Sequence, residues 1–398
     1  MSQTDSTPQH VTSAPSAQPG TATRPAWSDR LPRPWMFPLL AFAASWAVTV
    51  ATWFVSDALH GHSQSWTYHF LFKDAGWFMT IARDGYPAHF LIHHRPAAAP
   101  AFFPVFPLLI RLAGRALGSY LAGGLVVTVV AGAASSILVW LVADRVRDRR
   151  VADRAVLLYC LFPGAMAFGM MYSEGVTVTL AAAALLALMT RRWVLAGVIA
   201  AIGTAEASIL FVLIPVAGIV ALQAIWQRRE WTALAAPVLA PLGALAFFGY
   251  LGRRYHDYGF WFKTEQSGWG EHIDWGAHNL HLVLWQTANW WPGYTRTAVN
   301  VIDAIMIVMM AVTVAGIVAV FFARLPLPLS LYTVLLAATF LLSPAGPRPR
   351  YVLCAFPLFI GAAAKLPRAV YWPILVVSAA GLAFVTDWWQ YHYAGPNL

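Results

Sequence analysis

The sequence predicts an all-α protein that crosses a membrane many times, and three observations carry that prediction. Of 398 residues, 59% are hydrophobic and only 11% are charged, against about 25% charged in a soluble domain. The mean hydropathy is +0.60, in the range of polytopic membrane proteins. The Lys and Arg residues behind the net charge of +9 fall in short clusters between apolar runs, the pattern that marks cytoplasmic loops. The same clustering argues against a nucleic-acid partner. Cys160 and Cys354 both lie in apolar runs and read as buried thiols.

Residues 1–34 are rich in Ser, Thr, Pro and Gln. Such a segment buries too little apolar area to offset its ordering entropy, so a disordered tail is expected. Its start is neither basic nor apolar, unlike a signal peptide. Arg24, Arg30 and Arg33 hold it in the cytoplasm. The first span covers residues 36–55, and a polar loop follows over 56–101. The run 102–117 is interrupted by Pro104, Pro107, Arg111 and Arg115, which predicts an interfacial or re-entrant segment. A span over 120–142 leads to the basic cluster Arg145, Arg147, Arg149, Arg150 and Arg154. Further spans are expected near 155–171, 174–190, 193–207, 208–226, 232–251, 298–322, 328–343, 351–364 and 369–387. That makes about eleven spans, with residues 35–390 as one domain and 391–398 as an outer tail. Within 193–226, Arg228-Arg229 favours two short spans broken at residues 203–206.

This arrangement brings the polar features that topology does not explain to one outer face. They are the 56–101 loop, Tyr172-Ser173-Glu174, Glu206, the 252–297 loop and Arg348-Pro349-Arg350-Tyr351. Asp74 leads them, because it stands beside Trp77 and Phe78, where partial desolvation favours a general-base role. The plainer alternative is a solvated carboxylate at a helix start. Asp84 lies about 280° further round an ideal helix, so the two aspartates are not a pair. Asp84-Gly85-Tyr86-Pro87 has turn composition. Glu174 either caps the next helix or meets a ligand, since an ionisable group at that depth needs a partner. Arg348 and Arg350 go against the positive-inside tendency. Either a phosphate, matched by the guanidinium fork, or ion pairs with Asp74, Glu174 or Glu206 would account for them. In the 252–297 loop, Trp261, Gln266, Trp269, Trp275, Trp285, Trp290 and Trp291 suit interfacial anchoring or stacking on sugar faces. His89, His93 and His94 are flanked by Pro87 and Pro96, with no cysteine or clear third carboxylate, so no metal is indicated.

The stretch Asp74-Ala75-Gly76-Trp77-Phe78 with Ile81-Ala82-Arg83-Asp84-Gly85-Tyr86 resembles the first-loop motif of the PIG-V-like mannosyltransferases. Three stretches follow in the family's order: Phe102-Phe103-Pro104-Val105-Phe106-Pro107-Leu108, then Phe162-Pro163 with Tyr172-Ser173-Glu174, then Arg350-Tyr351 with Phe356-Pro357-Leu358-Phe359. Two positions depart from the pattern. Lys73 replaces an aromatic, and Gly203-Thr204-Ala205-Glu206 replaces a segment that carries an arginine in relatives. The resemblance implies a GT-C-type glycosyltransferase fold. It implies transfer of a sugar, mannose by analogy, from a polyprenyl-phosphate donor to a lipid or glycan acceptor at the outer face, with inversion and no cofactor. Asp74 would be the base. Arg83, Asp84, Tyr86, Tyr172, Glu174, Gln266, Trp269, Arg348, Arg350 and Tyr351 would contact the substrates, and membrane lipids would surround the chain. Against this stand a transporter or flippase, for which no internal repeat is evident, and a non-catalytic lipid-binding protein, which would leave Asp74 without a role.

Overall fold

The computed structural model describes residues 26–31, 33–61, 64–87, 91–92, 95–96, 99–289 and 301–392. His89, His93, His94, Trp290 and Trp291 lie outside them. The described residues are helical almost throughout, apart from a two-residue antiparallel pairing of Leu91–Ile92 with Arg95–Pro96.

Among the described residues, six stretches are long and apolar enough to cross a membrane: Met36–His60, Tyr120–Val146, Ser208–Arg228, Trp231–Tyr255, Val301–Phe322 and Arg368–Tyr391. Arg149–Cys160 with Pro163–Gly169 makes a seventh if its 73° bend is counted within one span. The expected eleven spans are therefore corrected to six or seven. The physical reason is length. Glu174–Met189 has 16 residues and Leu327–Leu341 has 15, or about 24 Å and 22 Å at the helical rise, short of a hydrocarbon core of about 30 Å. The expected span over 351–364 is two pieces, Pro349–Cys354 and Pro357–Lys365. The region 193–226 does break, with Trp193–Thr204 ending before the turn at residues 205–207.

Proline sets several of these breaks. Pro163 and Pro357 each open a new helical piece, where the absent N–H costs nothing and φ is already helical. Both follow phenylalanines, Phe162 and Phe356, and Phe162 meets Phe359 of the second piece edge to face at 5.0 Å. Gly164 lets the Pro163–Gly169 turn touch the next element, since a Cβ there would overlap the Pro349 carbonyl. That approach seats the Pro349–Cys354 helix against the core.

The tail is ordered sooner than expected. Ala26 is buried, and Trp27 packs against Phe37 and Trp372, with ring centroids 6.0 and 5.5 Å apart. At the other end of the same helices, His69 bridges Asp57 and Gln390, and Tyr391 donates to Asp57. The first and last long helices are thus clasped at both ends. Cys160 and Cys354 are free and buried.

Candidate active site

Asp74 opens the helix Asp74–Asp84, where its charge faces the positive end of the helix dipole. The turn that delivers it is strained. Lys73 has φ 54° and ψ −117°, and the Ala75 N–H donates to the Phe72 carbonyl across 3.3 Å. This is a type II′ turn with lysine at the position glycine favours. The far end of the helix is held by Arg111, whose Nε and Nη2 donate to the carbonyls of Ala82 and Ile81 at 2.6 and 3.0 Å. The arginine that interrupts the 102–117 run thus satisfies terminal carbonyls. Phe78 locks the side, meeting Phe102 and Phe106 edge to face at 4.9 Å each.

Asp74 is 3% exposed and Arg350 8%. Arg350 Nη1 stands 2.6 Å from Asp74 Oδ2 and 3.4 Å from Glu174 Oε1. Its guanidinium lies 5.3 Å from the Tyr172 ring centroid and 5.0 Å from that of Tyr351. Three separated motifs thus converge on one cation. Of the two explanations open for Arg350, the ion pair is the one seen. Arg348 differs. It is half-buried, has no carboxylate within ion-pair distance among the described residues, and rests 5.9 Å from the Tyr351 ring.

Asp74, Glu174, Arg348, Arg350 and Tyr351 line a cavity of about 160 Å³ that also takes in Ser173, Thr177, Glu206, Glu265 and Glu271. Glu206 sits in the turn before Ser208, 3% exposed, and neither carboxylate oxygen has a hydrogen-bond partner. Burial pushes its carboxyl well above the usual range. The Phe106 amide opposes this without reaching hydrogen-bond geometry, and Glu174 adds to it. Burial also pushes Glu265 up to about 8, with Glu271 contributing. Glu271 is raised by burial and held back by Arg348. The cavity therefore offers a base candidate, cations for an anionic leaving group, and carboxyl groups able to bond hydroxyls.

The other sequence candidates are placed as follows. Tyr172, Glu174, Arg348 and Tyr351 join Asp74 and Arg350. Arg83 and Asp84 pair with each other at 2.8 Å, both exposed. Tyr86 is buried and donates to the Phe102 carbonyl at 2.7 Å, which anchors the loop against Phe103 and Phe247. Gln266 is exposed on the turn Glu265–Trp269. Glu265 and Glu271 also line the cavity, although the sequence singles out neither. Their signal was proximity in sequence to the tryptophans, which did not single them out.

No protein-family model matches the chain, and no curated protein does, so the likeness to PIG-V-like enzymes stands on the four motifs alone. Solved structures do resemble it. The Archaeoglobus fulgidus oligosaccharyltransferase in its apo form matches with a TM-score of 0.51 at 13% identity, over 90% of this chain and 56% of that one. The same enzyme in complex with Zn and sulfate matches with 0.51 at 14%, over 89% and 53%. ArnT from Cupriavidus metallidurans, bound to undecaprenyl phosphate, gives 0.48 at 14%, over 85% and 62%. The chain spans about half the length of the oligosaccharyltransferase. At this identity the likeness is one of fold. The protein is a helical, multi-pass membrane protein whose fold resembles that of the archaeal oligosaccharyltransferase.

Proposed function

We propose that the chain is a membrane glycosyltransferase that moves a sugar from a polyprenyl-phosphate donor to a lipid or glycan acceptor at the outer face, with inversion. On the motif resemblance the sugar is mannose. One observation carries the reading: a buried aspartate and a buried arginine, brought from opposite halves of the chain, meet at 2.6 Å in a cavity with a second, unpaired arginine.

In this reading the acceptor hydroxyl gives its proton to Asp74 as its oxygen attacks C1. The bond from C1 to the phosphate oxygen breaks, and its electron pair leaves with the polyprenyl phosphate. Charge grows on that phosphate, so cations beside it favour the transition state over the ground state. Arg348 is free to take the phosphate first. A phosphate reaching Arg350 would compete with Asp74 for Nη1 and leave the aspartate able to accept a proton. Glu206, dry and unpartnered, would bond a sugar hydroxyl.

The test is transfer of labelled mannose from polyprenyl-phosphate mannose by the purified, lipid-reconstituted protein. Transfer from a different polyprenyl-phosphate sugar alone would reassign the sugar, and no transfer from any would reject the enzyme. Sidedness is read separately. An impermeant thiol reagent on intact cells is expected to label Ser267→Cys and spare Arg192→Cys, two exposed positions. The reverse result would put the cavity on the cytoplasmic face.

A further inference from the structure

A second polar cleft lies at the opposite end of the helices from Asp74. It is lined by Arg150, Arg154, Arg368, Asp153, Trp27 and Trp372, among others. Tyr371 belongs to this cleft, while Trp389, on the same helix Arg368–Tyr391, lines a small cavity with Arg350. Eighteen residues of helix separate them, about 27 Å, close to the thickness of a bilayer core.

Arg154 is 8% exposed. Its Nη2 donates to the Leu366 carbonyl at 2.6 Å, and its guanidinium lies 4.1 Å from the Tyr371 ring centroid. Its Nε has no partner. Arg150 and Arg368 are exposed, pair with no carboxylate among the described residues, and act on Arg154 as like charges. The one carboxylate in the lining, Asp153, accepts from Trp140 Nε1 at 2.8 Å. Three guanidinium groups therefore surround a cleft with a single, already engaged acid. Arg150 and Arg368 keep their hydration, so the cost falls on buried Arg154, whose unpartnered Nε an anion in the cleft would satisfy. Trp27 and Trp372 rim it, as aromatic rings do at the headgroup level. Below the rim the same helix exposes Ile374, Val376 and Val377, an apolar track on which acyl chains can lie.

We propose that this cleft binds a phosphate ester, the headgroup phosphate of an anionic phospholipid. The guanidinium forks of Arg150 and Arg368 would grip the phosphate oxygens, with the Nε of Arg154 as the inner donor. This site is independent of the glycosyltransferase reading.

The test uses the full-length protein in nanodiscs of phosphatidylcholine, with or without phosphatidylglycerol. Lipid retention is followed by native mass spectrometry, and the thermal midpoint by melting. Arg154 stays intact, because its guanidinium holds the Leu366 carbonyl and packs on the Tyr371 ring. The cleft variant is Arg150→Gln with Arg368→Gln. The control, Arg145→Gln with Arg147→Gln, removes equal charge from two exposed positions outside the cleft lining. Wild type and control are expected to retain phosphatidylglycerol and melt higher with it. The cleft variant is expected to retain it about 10- to 30-fold less well. Equal stabilisation by inorganic phosphate in phosphatidylcholine alone would uphold the phosphate chemistry and assign it a soluble source. Equal loss in cleft and control variants, or no response of the wild type to either phosphate, would overturn the proposal.

Discussion

Arg350 and Arg154 are both 8% exposed, both stack on tyrosine, and both leave Nε without a partner. What surrounds them differs. Arg350 is held by two buried carboxylates, whereas Arg154 has one backbone carbonyl and two neighbouring cations. Burying a guanidinium is costly until it is compensated. At one end of the molecule the chain supplies that compensation from within, in groups a reacting substrate can displace. At the other end it is left to something outside the chain. Equal burial therefore says little about what an arginine does. The charges facing it decide.

The largest expected effect lies at the carboxylates. Asp74→Asn keeps the shape and removes the proton acceptor, so turnover per folded molecule should fall about 10²- to 10⁴-fold while membrane insertion holds; the melting midpoint should also drop, because Arg350 keeps only Glu174 as a buried counter-charge. Wild-type transfer by a well-folded Asp74→Asn protein would end the assignment of the base.

The contrast between the two arginines is tested next. Arg350→Ala leaves Asp74 and Glu174 buried without a cation, a loss of about 3–5 kcal/mol. Arg154→Ala strands no bare carboxylate in the same way and should cost less, about 1–3 kcal/mol. Denaturant melts of both variants, side by side, check the order. Equal losses would remove the distinction drawn here. Arg350→Lys keeps the charge without the fork, so its transfer rate should fall between wild type and Arg350→Ala.

The smallest effect is a pH dependence. Glu265 is raised to about 8 in the folded protein, above the ordinary carboxylate range near 4.3. The sign follows from linkage. Below the ordinary range both states are protonated and its contribution is fully present. As pH rises toward 8, only the unfolded chain ionises freely, and that contribution is lost. Glu265→Gln should therefore flatten the decline of the melting midpoint between about pH 5 and 8. An unchanged slope would show that Glu265 is solvated.

Much of the local construction was legible in the chain. Hydropathy marks the apolar runs, but the expected spans over 155–171 and 351–364 run through Pro163 and Pro357, where the structure opens new helical pieces. Asp74, Tyr172, Glu174 and Arg350 were visible as polar residues that topology left unexplained. Arg111 looked like an interruption and turned out to be a cap for the Asp74 helix, which no local pattern announces. The tail through Trp27 looked disordered because its partner, Trp372, lies at the other end of the chain.

By itself the sequence determined that the protein is a helical membrane protein, because transfer of side chains into lipid is a sum of local terms. The tertiary structure alone decided which apolar runs are long and straight enough to span. It also decided that Arg350 meets Asp74 and Glu174 while Arg348 stays free. Those outcomes depend on contacts between residues far apart in the chain, such as the 176-residue separation of Glu174 and Arg350. Coulomb attraction in a buried site acts through space and leaves no trace in neighbouring residues.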